Sequence, residues 1–233
     1  MGSSTPRLTL KGQPEVEICL RRTARAKRMS LRVSRLDGKV TLSIPDRTAI
    51  RHAEVFLAEK SDWIRRHLDD IPTIVAVTHG SVMAVEGREV TVAVTGARGI
   101  RLSDHVLGVA GSRPVGPQVA AFLKETARER FTTHCNVYAA EIGHRVNKIT
   151  LRDARSRWGS CTSEGNLMFS WRLAMAPPEV LEYVAAHEVA HLERMDHSPA
   201  FWRVVEHLCP HYRAHRRWLR NEGHGLHRFR FSA

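Results

Sequence analysis

The sequence is poor in cysteine, in aromatic residues and in acidic charge, and it has no long apolar run. It holds 4 cysteines in 233 residues. Cys19, Cys135, Cys161 and Cys209 are widely separated and form no C-x-x-C pair, which excludes a disulfide framework and a zinc ribbon. Such sparse thiols fit a reducing, cytoplasmic setting. The longest apolar stretch, IVAVTHGSVMAV at 74–85, is interrupted by His79 and Gly80. That is short of the roughly 18 residues a membrane helix requires, so no membrane partner is expected. The opening MGSSTPRLTL has no apolar core of the kind a signal peptide needs. Acidic residues number 24 against 36 Lys and Arg, a formal net charge of +12. A chain so balanced is suited to acidic partners, nucleic acid first.

Hydrophobic residues make up 42% of the chain, enough for a sizeable core in one large domain or two small ones. Residues 29–34, MSLRVS, alternate apolar and polar, and KVTLSI repeats the pattern after Asp37-Gly38, so a β-hairpin is expected there. Residues 47–69 carry Ile50, Val55, Phe56, Leu57, Trp63, Ile64 and Leu68 at helical spacing and read as one helix. Short strands are expected near 82–85, 90–94, 100–103 and 105–109. The Gly- and Pro-rich stretch 108–118 is the best boundary signal, giving an N-terminal β-rich region at 1–112 and a catalytic region at 113–233. Beyond it the pattern predicts a long helix at 118–142, a strand VNKITLRD, and a hairpin of RSRWGSC and LMFSWRL. A helix from Pro177-Pro178 to about Glu193 and helices at 199–208 and 211–221 follow.

Chemistry concentrates in HEVAHLERMDHSPAFW, residues 187–202. His187 and His191 are four apart in a helical segment and so share one face, where two imidazoles can hold one metal ion. Glu188 is one step round, placed to take a proton from a metal-bound water without ligating. A catalytic zinc takes three protein ligands and keeps one position open. A straight helix cannot bring the third ligand from its next turn without blocking that position, so the chain must turn back. Ser198 is a preferred helix cap and Pro199 a preferred first helical residue, so one helix ends near Glu193 and another starts at Pro199. His197 then sits at the elbow, pointing back at the pair. Glu193, Asp196, His207 and His211 are rivals for third ligand; a four-ligand structural site would need Cys161 or Cys209. Asp196 is equally suited to capping the elbow or supporting a ligand imidazole.

RWGSC, WRLAMAPPEVLEYVAAHEVAHL and MDHSPAFW resemble the YgjP-like metallopeptidase family, whose catalytic core is related to SprT-type proteases. The resemblance is specific from about 150 to 221 and extends more loosely to RAKRMSLRVSRLDGKVTLSIP and FLAEKSDWI. It implies an α+β fold, with a mostly β N-terminal half carrying one helix, packed onto a zincin-like α+β catalytic half built around the HExxH helix. It further implies that His187, His191 and His197 bind Zn2+, that Glu188 is the catalytic base and that the substrate is a protein or peptide. Asp196 departs from an expected asparagine, and Arg194 stands where a metzincin has glycine.

Around this motif the strand beside the metal helix is expected to bind substrate backbone. Trp158 and Trp171 read equally as core anchors. Tyr212, Arg213, His207, His211 and Arg157 are candidates for stabilising an oxyanion. Residues 21–35 hold seven Lys or Arg and no acid; Arg213, Arg216, Arg217, Arg220, Arg228 and Arg230 follow His211 against Glu222 alone. Were the two runs to share a side, they would suit the phosphate backbone of non-specific nucleic acid. The leading expectation is a zinc metallopeptidase; the alternatives are a nucleic-acid-associated binding protein with a structural or vestigial metal site, and a zinc hydrolase of non-peptide amides.

Overall fold

The computed structural model describes residues 6–34, 37–69, 71, 73–96 and 98–232. The architecture is mixed α+β, and it divides into two compact units, Met1–Thr73 and Ile74–Ala233.

The first unit is a four-stranded sheet with two helices. β1 (Arg7–Leu10), β2 (Val16–Arg22), β3 (Ser30–Val33) and β4 (Val40–Ile44) lie in the order β1-β2-β4-β3. β2 and β4 run parallel; the outer strands are antiparallel to them. Alternation sets the core: Val40, Leu42 and Ile44 of β4 and Val16, Ile18 and Leu20 of β2 are buried. The expected hairpin is present, with Val33 opposite Val40. Asp37-Gly38 lies in its loop, where Gly38 has φ +69°, and residues 35 and 36 of that loop fall outside the described residues.

The helix expected at 47–69 is two helices, α1 (Ile50–Glu59) and α2 (Ser61–Asp69), parted at Lys60. Ser61 and Asp62 follow the break, and both favour helix starts over helix interiors. Ala53, Leu57 and Ile64 from the pair close the core.

In the second unit, β5 (Val75–Ala76) is followed by β6 (Val82–Val85), β7 (Arg88–Thr95), β8 (Arg101–Ser103) and β9 (Val106–Ala110). The last four form one sheet in the order β6-β7-β9-β8. α3 (Val115–Glu141) comes next, then β10 (Lys148–Arg152), β11 (Gly159–Cys161) and β12 (Asn166–Ser170), in the order β10-β12-β11. A 3-10 turn at Trp171–Met175 leads into α4 (Pro178–Ala190); α5 (Pro199–Leu208), α6 (Tyr212–Asn221), a 3-10 turn at Gly223–His227 and β13 (Phe229–Arg230) complete the chain. β13 pairs with β5.

Leu107 and Val109 of β9 share one core with Val119, Leu123 and Phe131 of α3, Phe169 of β12 and Val184 of α4. The β6–β9 sheet therefore belongs with the helices that follow it. The compact units part at Thr73–Ile74, and the Gly/Pro stretch at 108–118 is a connection inside the second unit rather than the boundary at 112 that composition suggests.

Two features position α4. The first is its burial: Val180, Leu181, Val184, Ala185, Ala186, Val189 and Ala190 are all buried, so it is apolar nearly all round and forms the centre of the unit. The second is the turn at Glu86-Gly87, whose backbone amides donate to Ala174 O (2.8 Å) and Met175 O (3.3 Å) just before Pro177. Gly87 has φ +73°, and a Cβ there would meet Pro177 Cα at 2.9 Å, so only glycine brings this turn so close to the helix start. The strand expected through LMFSWRL stops at Ser170, because Trp171 and Arg172 turn into the core in the 3-10 segment. Among the described residues, no helix is long and apolar enough to cross a membrane.

Candidate metal centre

α4 ends at Ala190, and His191 caps it in helical conformation. The next residues form a tight turn instead of the further helical turn expected to Glu193. Ser198 accepts a hydrogen bond from Phe201 N (3.4 Å) at the start of α5, and Pro199 is its first residue, as the local chemistry predicts. Asp196 Oδ1 accepts from Ser198 N (3.3 Å), so its carboxylate braces the elbow. This geometry returns His197 to the two histidines of α4.

Metal-capable atoms of His187, His191 and His197 all lie within 4.8 Å of one another. Nε2 of His187 and Nε2 of His197 are 3.3 Å apart. The Nδ1 of His191 is 2.9 Å from Arg194 O, an acceptor; this bond places the proton on Nδ1 and leaves Nε2 free with its lone pair. Burial, then the neighbouring imidazoles of His191 and His197, and then the charge of Arg216 push His187 down to about 3, so it is a neutral donor at ordinary pH. His191 is lowered too, chiefly by burial. Three imidazoles converging at these distances fit a cation, which would be the group that satisfies them together.

Phe201 is fully buried beneath the cluster, its ring 4.4 Å from that of His191 and 5.0 and 4.8 Å from those of His187 and His197. Trp202 flanks His187 (5.7 Å) and His197 (6.0 Å). Tyr183, one turn before His187 on α4, meets it edge-on at 6.0 Å. These packing partners are not apparent in the histidine spacing. The signals for them were local all the same: Phe201 and Trp202 follow the Ser198 cap, and Tyr183 is four residues before the first histidine.

Glu188 is 5% exposed and has no hydrogen bond within the described residues. Burial pushes its carboxyl up to about 8, opposed by the charge of Arg157. Its neighbour is the backbone of Gly159: a Cβ there would lie 2.5 Å from Glu188 Oε1 and 2.6 Å from Cγ. Only a residue without a side chain leaves room for this carboxylate. Gly159 begins β11, an edge strand. Trp158 O accepts from Ser170 N (2.8 Å), and Thr162 N donates to Asn166 O (3.0 Å), so alternate residues serve the ladder with β12. Gly159 and Cys161 consequently turn their N–H and C=O groups to the open edge.

The other candidates are elsewhere or engaged. Glu193 is exposed, and its carboxylate lies 3.9 Å from Arg194 Nε. His207 pairs with Glu141 at 3.1 Å, and His211 is exposed before α6. Cys209 is buried in the core and Cys161 lies beside Glu188; neither belongs to the cluster. Of the oxyanion candidates, buried Tyr212 accepts from Arg213 Nε (3.3 Å), and Arg157 is the one whose charge reaches Glu188. Trp171 is a core residue, whereas Trp158 is half-buried against His227 at 5.1 Å.

A comparison with known families matches residues 27–222 to the YgjP-like metallopeptidase domain. No curated protein matches. Among solved structures, the metallopeptidase zymogen abylysin of Pyrococcus abyssi is similar over 45% of this chain and 95% of its own, at 20% identity and a TM-score of 0.32. The family match begins inside the stretch RAKRMSL, takes in the first unit from β3 onward and most of the second, and runs past the histidine cluster to α6. The chain thus belongs to the YgjP-like metallopeptidase family and is a peptidase.

Proposed function

We propose that this protein is a zinc-dependent peptidase in which His187, His191 and His197 hold the metal and Glu188 is the general base. The observation that carries the reading is the convergence of three imidazoles within 4.8 Å beside a buried carboxylate that has no partner of its own. Three histidines leave the fourth tetrahedral position open for water and substrate. When bound, zinc supplies a Lewis acid that acidifies water and polarises a scissile carbonyl. Glu188 would be favoured in its ionised form beside a bound cation. Glu188 then accepts the water proton and later passes it to the leaving amine. The open edge of β11 supports a substrate bound as an added strand, with Gly159 and Cys161 supplying the backbone donors and acceptors. The four free thiols, two of them buried, support a reducing, cytoplasmic setting.

Metal analysis combined with a casein or peptide digest tests this reading. The purified protein should carry about one zinc per chain. Glu188→Ala should retain zinc and lose hydrolysis, His197→Ala should lose zinc, and His207→Ala should keep both. Full zinc retention in His197→Ala, or unchanged turnover in Glu188→Ala, sinks the assignment.

One observation favours a second property. Arg25, Arg28 and Arg32 in the first unit are exposed, and no hydrogen bond or ion pair engages their guanidinium groups among the described residues. This supports sequence-tolerant, salt-sensitive binding of nucleic acid to that unit. The other basic run, after His211, belongs to the second unit. A gel shift at low salt that is unaffected by replacing these three arginines with glutamine would exclude the property.

A further inference from the structure

α6 is strongly one-sided. Tyr212 is buried, whereas Arg213, Arg216, Arg217 and Arg220 are exposed. Arg213 spends its donors on Tyr212 Oη and on Glu206 (3.5 Å). Arg216 differs. Its guanidinium carbon lies 4.6 Å from the centre of the Trp202 ring, and Trp202 in turn flanks His187 and His197. Within the described residues no carboxylate lies within ion-pair distance of Arg216, and no acceptor takes its N–H groups. Its charge nonetheless reaches the site, where it acts on His187 and on Tyr183.

A guanidinium stacked on an aromatic face is held in orientation while its donors stay free in its own plane. Those donors match a carboxylate, which accepts two parallel N–H bonds. Trp202 carries this guanidinium beside His187 and His197, within reach of a group bound next to the histidine cluster. We propose that Arg216 is a specificity residue that binds a carboxylate of the substrate next to the scissile bond, with Trp202 as its platform. This rests on the peptidase reading above. It predicts a preference for peptides that present a carboxylate there, on an acidic side chain or at a nearby chain terminus.

The test uses peptide pairs that differ only by Glu against Gln near the cleaved bond, and only by a free acid against an amide at the C-terminus. With the zinc-loaded wild type, kcat/KM should favour the carboxylate member of one pair by about 10- to 100-fold, the range of a charge-assisted bidentate contact. The pair that responds identifies the source of the carboxylate. Arg216→Gln should bring that ratio to about one, and Arg216→Glu should turn the preference toward Lys-bearing peptides. Arg217→Gln should leave the ratio as in the wild type.

Binding of the same peptides to zinc-loaded Glu188→Gln, followed by tryptophan fluorescence, reports on Arg216 independently of turnover. If no peptide is cleaved but the binding preference is present and Arg216-dependent, the peptidase reading fails and the subsite stands. The inference is overturned by a wild-type ratio near one in both pairs. It is also overturned by an Arg216→Gln protein that weakens both members equally and keeps the ratio. A ratio near one with Arg216-dependent binding of a labelled oligonucleotide would assign the residue to nucleic acid instead.

Discussion

Two charged groups in the second unit are equally buried and are treated in opposite ways. Arg172, 5% exposed, has four of its five N–H donors answered. Its Nε donates to Asp153 Oδ1 (2.6 Å) and one terminal nitrogen to Asp153 Oδ2 (3.0 Å); the other donates to Leu226 O (3.0 Å) and Phe229 O (2.9 Å). Trp171 and Phe231, themselves in edge contact, pack against it at 5.0 and 5.3 Å. Glu188, also 5% exposed, has none of this, and Nδ1 of the adjacent His187 is buried without a partner among the described residues. A buried charge so fully bonded holds structure together: Arg172 ties the C-terminal segment to the ends of β12 and β10. A buried carboxyl without partners costs stability, and a fold keeps such a group where chemistry needs it. The contrast separates the frame of this unit from its site more sharply than burial does.

The contrast predicts opposite outcomes for two substitutions. Glu188→Gln removes the proposed proton acceptor and keeps the three imidazoles. Hydrolysis should fall by about 100-fold or more, while zinc content and thermal midpoint stay as in the wild type or the midpoint rises. Arg172→Met keeps the volume but strands a carboxylate and two carbonyls. It should destabilise the unit by about 3 kcal/mol, the lower end for breaking a buried pair, because Asp153 retains contact with water. Calorimetry and a peptide assay on both variants check this. A Glu188→Gln protein that unfolds early, or an Arg172→Met protein of wild-type stability, breaks the comparison.

How much of each region was legible follows from the range of its contacts. The histidine elbow was readable because its causes are local: helical spacing brings His187 and His191 together, and the Ser198-Pro199 start turns the chain back for His197. The partners of Arg172 are 19 to 57 residues away in sequence, and nothing near Arg172 announces Asp153 or Phe229. The same holds for the boundary at Thr73–Ile74, which depends on β9 and α3 sharing a core, and for the end of β12 at Ser170. The break at Lys60 had no glycine or proline to mark it. Gly159 is the instructive case. It sits in a motif that the sequence singles out, yet its reason for being glycine is a carboxylate 29 residues on.

Gly159 supplies a smaller effect that sharpens the same comparison. In Gly159→Ala the new Cβ would overlap Glu188 Oε1, so the carboxylate must shift within a buried space. If Glu188 is the base, a displacement on the order of 1 Å should cost about 10- to 100-fold in kcat. Zinc content should be unchanged, since no histidine is touched, and the pH dependence of kcat should move with the new surroundings of Glu188. Ser160→Ala, whose side chain points to the other face of β11, should leave both where they are. Wild-type kcat in Gly159→Ala would mean that this contact does not position the base.

The smallest expected effect lies in the frame and depends on pH. His227 stacks on Trp158 and lies near the Arg172–Asp153 pair. Burial, with the charge of Arg172 next and Asp153 opposing, pushes His227 down to about 4 from an ordinary value of 6.5. Its Nδ1 is buried without an acceptor among the described residues, so protonation would place a charged N–H where nothing receives it. The folded pKa is lower than the unfolded one, so the unfolded chain binds the extra proton first. The stabilisation is therefore complete above about 6.5 and is lost as the pH falls toward about 4. His227→Phe keeps a ring against Trp158 and removes the titration. Denaturation midpoints measured from pH 7 to 4.5 should fall less steeply in His227→Phe than in the wild type. Release of any metal held by the histidine cluster would enter both proteins alike, so the difference between the two slopes belongs to His227. Equal slopes would place the acid sensitivity of this unit outside His227, and the frame around Arg172 would then be indifferent to pH in this range.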